Sequence, residues 1–308
     1  MNNHNTGKGH IIHSVDRVIE KRLTIALLIT GLIFVMELAG GFLSNSLALK
    51  SDAGHLFGDV MALGLSLLAV KLSKLPPSKK RTFGYHRSEV LAAMINGTTL
   101  LFLSVYIFYE AYHRLLEPEP IKSTLMLIVA VTGFSANLYV LFKLKGHATE
   151  NLNVRAAFLH VMGDMLASVG VVIGGVIMLL TGNYIADPLI SFLVGIIILM
   201  GAIGVLKEGV NILLEGVPGN IDYEVLKKDI ESLDNVNSIH DLHIWAISSS
   251  RISLSAHITA SSQSTHSSRE IMQAIRGLLS DKYGISHVTL QVECECCMDE
   301  SCGCRSDL

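Results

Sequence analysis

Cysteine is missing from the first 293 residues of this 308-residue chain, and all five cysteines crowd into the last fifteen. A framework of disulfides spread through the fold is thereby excluded. Charge is also scarce: Asp, Glu, Lys and Arg make up 17% of the residues, against 50% apolar. With a mean hydropathy of +0.47, concentrated before residue 210, the chain is too oily for a water-soluble fold of this length. A net charge of −3 leaves no basic surplus, so nucleic acid is not expected as a partner. There is no GxxxxGK[ST] loop to cradle a nucleotide and no HExxH zinc-hydrolase signature. The polar start, residues 1–22, is too long for a cleaved signal peptide, so the first apolar run is expected to remain as a span.

What the chain has in quantity is long apolar runs. Six are long enough to cross a hydrocarbon core of about 30 Å at about 1.5 Å per residue. They cover Leu23 to Leu43, Leu47 to Val70, Val90 to Tyr109, Ile121 to Phe142, Leu152 to Leu180 and Tyr184 to Leu206. Lysine and arginine fall unevenly about them. Thirteen lie in the N-terminal tail and the loops after the second and fourth runs, against Lys50, Arg114 and Lys122 on the other side. Positive charge stays inside, so both termini are expected in the cytoplasm of a multi-pass membrane protein. Reducing conditions there keep the terminal cysteines as thiols or metal thiolates.

The second run contains SDAGHLFGD, where His55 and Asp59 stand four residues apart; the fifth contains LHVMGD, where His160 and Asp164 repeat the spacing. On a helix, residues i and i+4 share a face. A titratable pair in a membrane-length helix is costly and points to function. Two such pairs facing each other offer two nitrogens and two oxygens, the donor set of tetrahedral zinc. Interhelical packing accounts for one such pair more readily than for two with identical spacing. Glu37, Asn96 and Asn137 read as helix contacts or cavity lining. Asp52, on the face of His55, fits either an access path or the helix end. Asp187-Pro188 reads as the start of the sixth span and is given no chemistry.

From Asn211 to Glu293 the pattern becomes that of a small soluble α+β domain ordered helix, strand, strand, helix, strand, with Ser267-Ser268-Arg269-Glu270 as a capping box for its second helix. So small a layer buries a modest core, which pairing with a second copy would extend. His240 and His243 lie on its first strand, His257 on the second and Glu293 on the third. Antiparallel neighbours would bring such side chains within reach of one ion. Cys294, Cys296, Cys297, Cys302 and Cys304 follow as soft ligands suited to zinc or cadmium. The expected organisation is therefore a cytoplasmic tail (1–22), a six-helix transmembrane domain (23–207), a cytoplasmic α+β domain (208–293) and a Cys-rich tail (294–308). His4, His10 and His13 make the first tail a flexible metal-catching segment.

The motifs SDAGHLFGD, FGYHRSEVLAAMING at Phe83 to Gly97, NLNVRAAFLHVMGD at Asn151 to Asp164, LLEGVP at Leu213 and HDLHIW at His240 to Trp245 resemble the cation diffusion facilitator family, and within it the bacterial zinc and cadmium exporters. The resemblance covers nearly the whole chain. It implies a homodimer whose subunits each carry six spans and a metallochaperone-like cytoplasmic domain. It implies a transport site of His55, Asp59, His160 and Asp164, a loop metal at His86, and a cytoplasmic site of His240, His257 and Glu293 with terminal cysteines such as Cys294, Cys296 and Cys297. The cargo implied is zinc, with cadmium and cobalt as companions, exchanged for protons across the lipid bilayer; zinc in the cytoplasmic domain would be structural or regulatory. Gln291 stands where some relatives carry a ligand histidine. Two other classes stay open at this point: an intramembrane zinc hydrolase, and a metal sensor that binds without transport.

Overall fold

The computed structural model describes the backbone over residues 6–73, 75, 78–145, 152–249, 251–260 and 265–294; side chains are described from residue 24, but not at 66, 69, 70, 73, 140, 141, 143–145, 152–161, 265–267 or 294. Six helices come first: α1 (Thr6–Ser44), α2 (Leu47–Ser73), α3 (Arg87–Leu116), α4 (Ser123–Lys145), α5 (Leu152–Thr181) and α6 (Ala186–Leu213). Then follow α7 (Tyr223–Glu231), β1 (Val236–Ser248), β2 (Arg251–Ala260), α8 (Thr265–Tyr283) and β3 (His287–Cys294). The chain divides into two compact units: Met1–Leu75 with Ala92–Leu206, and Pro76–Leu91 with Lys207–Leu308.

α1 starts well before the expected span, so residues 6–22 continue the helix instead of forming a flexible tail. The reason is local. No proline occurs before Pro76, and Ile11, Ile12, Val15, Val18 and Ile19 carry a helical spacing of apolar residues back from the span. Four described stretches are long and apolar enough to cross a membrane: Thr24–Ser44, Arg87–Leu116, Met162–Thr181 and Ala186–Leu213, while α4 is apolar over the shorter Ser123–Tyr139. α2 falls outside that set, and it is the helix that carries Lys50, Asp52, His55 and Asp59. Outward faces are apolar as well: Leu28, Leu32, Phe102, Leu180 and Met200 are each at least two-thirds exposed. Such a surface is covered by lipid rather than water.

α1 packs on α2 and on α4, α4 on α5, and α5 on α2, so these four helices close a ring with α2 and α5 adjacent. α3 and α6 pack on each other through Ile107, Val194 and Ile198, with the Phe108 and Phe192 rings 4.9 Å apart. Gly54 and Gly58, one turn apart on α2, let α3 approach: a methyl at either would lie 2.8 Å from Leu103 or 2.9 Å from Leu100. The neighbouring face of α2 is the one that carries His55 and Asp59.

One end of this helical unit is tied by a buried ionic network. Asp187, wholly buried, does more than open α6. Its carboxylate accepts from the Leu47 and Ala48 amides at 2.7 and 3.1 Å and from the Ser46 hydroxyl at 2.5 Å, capping the N-terminus of α2. This is the acceptor that unsatisfied first-turn amides require. Arg114 of α3, 5% exposed, donates to the Asn45 carbonyl at 2.7 Å and to Glu110 at 3.0 Å, and lies 3.2 Å from Glu119 and 3.8 Å from Asp187. Asn45 turns the α1–α2 corner with φ +63°, a left-handed conformation that asparagine tolerates better than most residues.

In the second unit the sheet order is β1-β2-β3, with β1 and β2 antiparallel but β2 and β3 parallel. The parallel pair departs from the antiparallel neighbours expected, because α8 intervenes and returns the chain to the same edge of the sheet for a second pass in one direction. Leu226 and Ile230 of α7 and Ile271, Ile275 and Leu279 of α8 cover the sheet over Ile244, Leu254 and Ile258. Asp222 caps α7 through the Glu224 and Val225 amides. α8 begins at Thr265, so Ser267 lies inside the helix and is not its cap.

Two stability outcomes follow. Arg114→Met leaves the buried Asp187 and the partly buried Glu110 without their cation and should cost about 3–5 kcal/mol, measured as a lowered unfolding midpoint in detergent. In the second unit Asp229 accepts from Lys282 at 2.5 Å and from the Tyr283 hydroxyl, and these bonds, Lys282 first, hold its carboxyl below the usual range. Such a group adds stability above its unfolded pKa of about 3.9, and that stability is lost as pH falls through the lower folded value. Asp229→Asn should therefore destabilise at pH 7 and converge with the native chain on acidification below about pH 4, read from the single tryptophan, Trp245.

Candidate metal centre

α2 and α5 bring together three of the four residues singled out by the repeated spacing. His55, Asp59 and Asp164 each offer a ligand atom within 4.8 Å of the others. His55 Nε2 lies 3.0 Å from Asp164 Oδ1, with the two side chains 22% and 12% exposed. His160 sits on α5 one turn before Asp164, the position from which a fourth ligand would come; its side chain lies outside the described residues. The arrangement follows from helix geometry, since i and i+4 place His55 above Asp59 on α2 and the neighbouring α5 presents Asp164 to the same space. Two carboxylates and an imidazole meeting among apolar side chains form a centre with excess negative charge. Its donors are the oxygens and nitrogen that borderline divalent ions such as zinc take.

Glu37, Asn96 and Asn137, which read from the sequence as helix contacts or cavity lining, and Asp52, which reads as an access path or a helix end, gather beside this centre. Asp52 is buried one turn before His55, with Ser168 Oγ 3.5 Å from its Oδ2 and Asn137 Nδ2 3.4 Å from that hydroxyl. Glu37 on α1 is 1% exposed, and its Oε2 has no hydrogen-bond partner among the described residues. Asn96 donates to the Gly58 carbonyl at 3.3 Å, tying α3 to α2.

A second cluster forms on the sheet of the C-terminal unit. His240 and His257 pair directly across β1 and β2, their rings 5.2 Å apart, and Glu293 of β3 reaches both. Its Oε2 lies 3.3 Å from His240 Nε2 and its Oε1 2.9 Å from His257 Nδ1. The parallel register makes this possible, since it sets Glu293 beside Thr259 and Gln291 beside His257. The Gln291 amide donates to Glu293 Oε1 at 2.8 Å and orients the carboxylate. Sequence reasoning missed Asp241, which sits at a bulge between His240 and His243 with φ +50°. Its carboxylate lies 2.7 Å from His243 Nε2 and 3.7 Å from His257 Nε2, and the His243 contact holds it below the usual carboxylate range. The one signal was its place between two histidines in HDLHIW. Of the expected cysteine ligands, the side chain of Cys294 and all of Cys296 and Cys297 lie outside the described residues.

His86 follows a turn in which Gly84 takes φ +71° and lines a cavity of about 730 Å³ with Phe83, Leu242, His243, Trp245 and Ser255. Partial burial, then the Arg251 guanidinium, holds its imidazole below the usual range. Among the described residues no cluster of metal-ligand closeness includes it.

Residues 23–214 match the family model of the cation efflux transmembrane domain, and residues 218–295 that of the cation efflux protein cytoplasmic domain. The chain is 41% identical over 291 residues to the cation efflux system protein CzcD of Alcaligenes sp. (strain CT14), covering 94% of this chain and 92% of that one. It is 43% identical over 270 residues to a cadmium, cobalt and zinc/H(+)-K(+) antiporter of Bacillus velezensis, covering 87% and 86%. It is 41% identical over 285 residues to the zinc transporter ZitB of Yersinia pestis, covering 92% and 90%.

The contact between Gln291 and Glu293 has a measurable consequence. In an Asp59→Ala background, where the C-terminal cluster is read alone, Gln291→Ala should weaken zinc binding by about 10-fold, as loss of an orienting partner does. Glu293→Ala should abolish it. Competition with a chromophoric chelator measures both.

Proposed function

The chain belongs to the cation efflux family of multi-pass membrane transporters, and from that premise we propose that it exports zinc from the cytoplasm in exchange for protons. Cadmium is a further substrate and cobalt another. The convergence of His55, Asp59 and Asp164 within 4.8 Å carries the reading, with His160 as the fourth ligand. The names of relatives, among them a zinc transporter and a cadmium, cobalt and zinc/H(+)-K(+) antiporter, support the choice of substrate.

The ligands must be deprotonated to hold zinc, so metal and protons compete for one set of atoms. Histidine, ordinarily titrating near pH 6.5, exchanges its proton within the range that a membrane pH gradient spans. Alternating access around a buried centre then moves metal one way and protons the other. The 23–207 region does this work. The 208–293 domain pairs with a second copy, as the cytoplasmic domain match supports. Zinc held by His240, His257 and Glu293, with the cysteines of the 294–308 tail, reports cytoplasmic metal to it. Both termini face the cytoplasm, so the Arg114–Asp187 end of the helical unit faces outside.

Zinc uptake into vesicles reconstituted with the purified chain tests this. An imposed pH gradient should drive accumulation, and Asp59→Ala should reduce it by about 100-fold or more. Undiminished transport by that variant would remove the assignment of the centre.

A further inference from the structure

We infer that Glu37 and Asp52 form a second cation station beside the transport centre, which takes the divalent ion on its way out after His55, Asp59 and Asp164 release it. The inference rests on the exporter reading and extends it.

Placement comes first. Asp52 lies one turn before His55 on α2, and Ser168 one turn after Asp164 on α5. These helices run in opposite directions through the unit, so both residues fall on the same side of the centre. That side leads to the end closed by Asn45, Arg114 and Asp187. Glu37 comes to the same place from α1, where its charged neighbours are Asp52 first and Asp164 second. Asp52 in turn has His55, Asp164 and Asp59 about it.

The cradle is built for a carboxylate. Gly133 of α4 faces Glu37, and a methyl there would collide with Glu37 Oε1. Glycine leaves that space to the carboxyl. Among the described residues the opposite oxygen, Oε2, is buried without a hydrogen-bond partner, and the hydrogen bond that Asp52 makes with them is to Ser168 at 3.5 Å, the far limit of a hydrogen bond. A buried acceptor with no donor is costly. Interhelical glue would have satisfied it, whereas a binding group is left open until its ligand arrives.

The order of the two stations follows from exposure. Glu37, Asp52 and Ser168 are buried, while His55 and Asp59 are only partly buried. The carboxyl pair is the sealed side. An ion leaving a nitrogen-and-oxygen centre in that direction next meets oxygens alone, which hold zinc less tightly than imidazole does. A weaker second position lets the ion leave the tighter one without crossing bare hydrocarbon.

The test is zinc flux in vesicles carrying the full chain, read as maximal rate and KM, with equilibrium zinc binding measured on the same preparation. Glu37→Gln keeps the shape and removes the charge. Its maximal rate should fall by about 10-fold or more with KM within about 2-fold of the native value, because the first binding step is untouched. Binding at the centre should stay intact, and Glu37→Asp should recover part of the rate. Gly133→Ala displaces the carboxyl without altering any acidic residue and should show the same selective loss; it serves if Glu37→Gln does not fold. Native flux in both variants would overturn the station. So would loss of zinc binding in Glu37→Gln as deep as in His55→Ala, since Glu37 would then belong to the centre itself. Failure of the underlying reading looks different: the native chain would show no gradient-driven zinc flux, or His55→Ala and Asp59→Ala would transport normally and remove the centre.

Discussion

Carboxylates enclosed by apolar helices have no water to spread their charge, and this constraint organises the molecule. His55 Nε2 set against Asp164 Oδ1 at 3.0 Å is its centre. Neither group would be stable alone on a membrane-length helix. Together with Asp59 they form a cluster whose ligand atoms lie within 4.8 Å of one another, the kind of donor set that a divalent cation would complete. The ring of α1, α2, α5 and α4 puts α2 beside α5, and the small residues of α2 admit α3 on the next face, so the polar face of α2 has α5 as its partner.

A second charged assembly holds the first in place. Arg114 and Asp187, both buried, join the α1–α2 corner, the end of α3 and the start of α6. The Asp187 carboxylate also supplies the acceptors that the first amides of α2 lack within their own helix. The rotational setting of α2, on which the direction of His55 and Asp59 depends, is thereby fixed at its N-terminus. A buried network of this kind is expensive to open.

In the C-terminal unit the same chemistry is laid out on strands. Histidines paired across β1 and β2 meet one carboxylate from β3, and Gln291 turns that carboxylate toward them. The cluster needs no lipid to make it costly; its residues are partly exposed, and its definition comes from register. A slip of one residue in β3 would send Glu293 to the other face.

The sequence by itself determined the elements and most of the chemistry. Apolar runs can be read because a helix must bury or greet lipid with each turn, and the His-x-x-x-Asp repeat can be read because i and i+4 share a face whatever the surroundings. Boundaries were less legible where no proline marks a stop: α1 runs back to Thr6, through Gly7 and Gly9, because no proline interrupts residues 6–22. The succession helix, strand, strand, helix, strand was legible too, but the parallel pairing of β2 with β3 was not, since it depends on where α8 returns the chain. What only the tertiary structure decided was which polar residues meet. Asp187 read as a helix start, Glu37 and Asn137 as packing groups and Gln291 as a missing ligand. Asp187 and Asn137 acquired their places from residues 141 and 31 positions away, Glu37 from Gly133 on α4, and Gln291 from the register that sets β3 beside β2; no local periodicity encodes the approach of one element to another. Local pattern fixes the face a side chain occupies, and packing alone decides what that face meets.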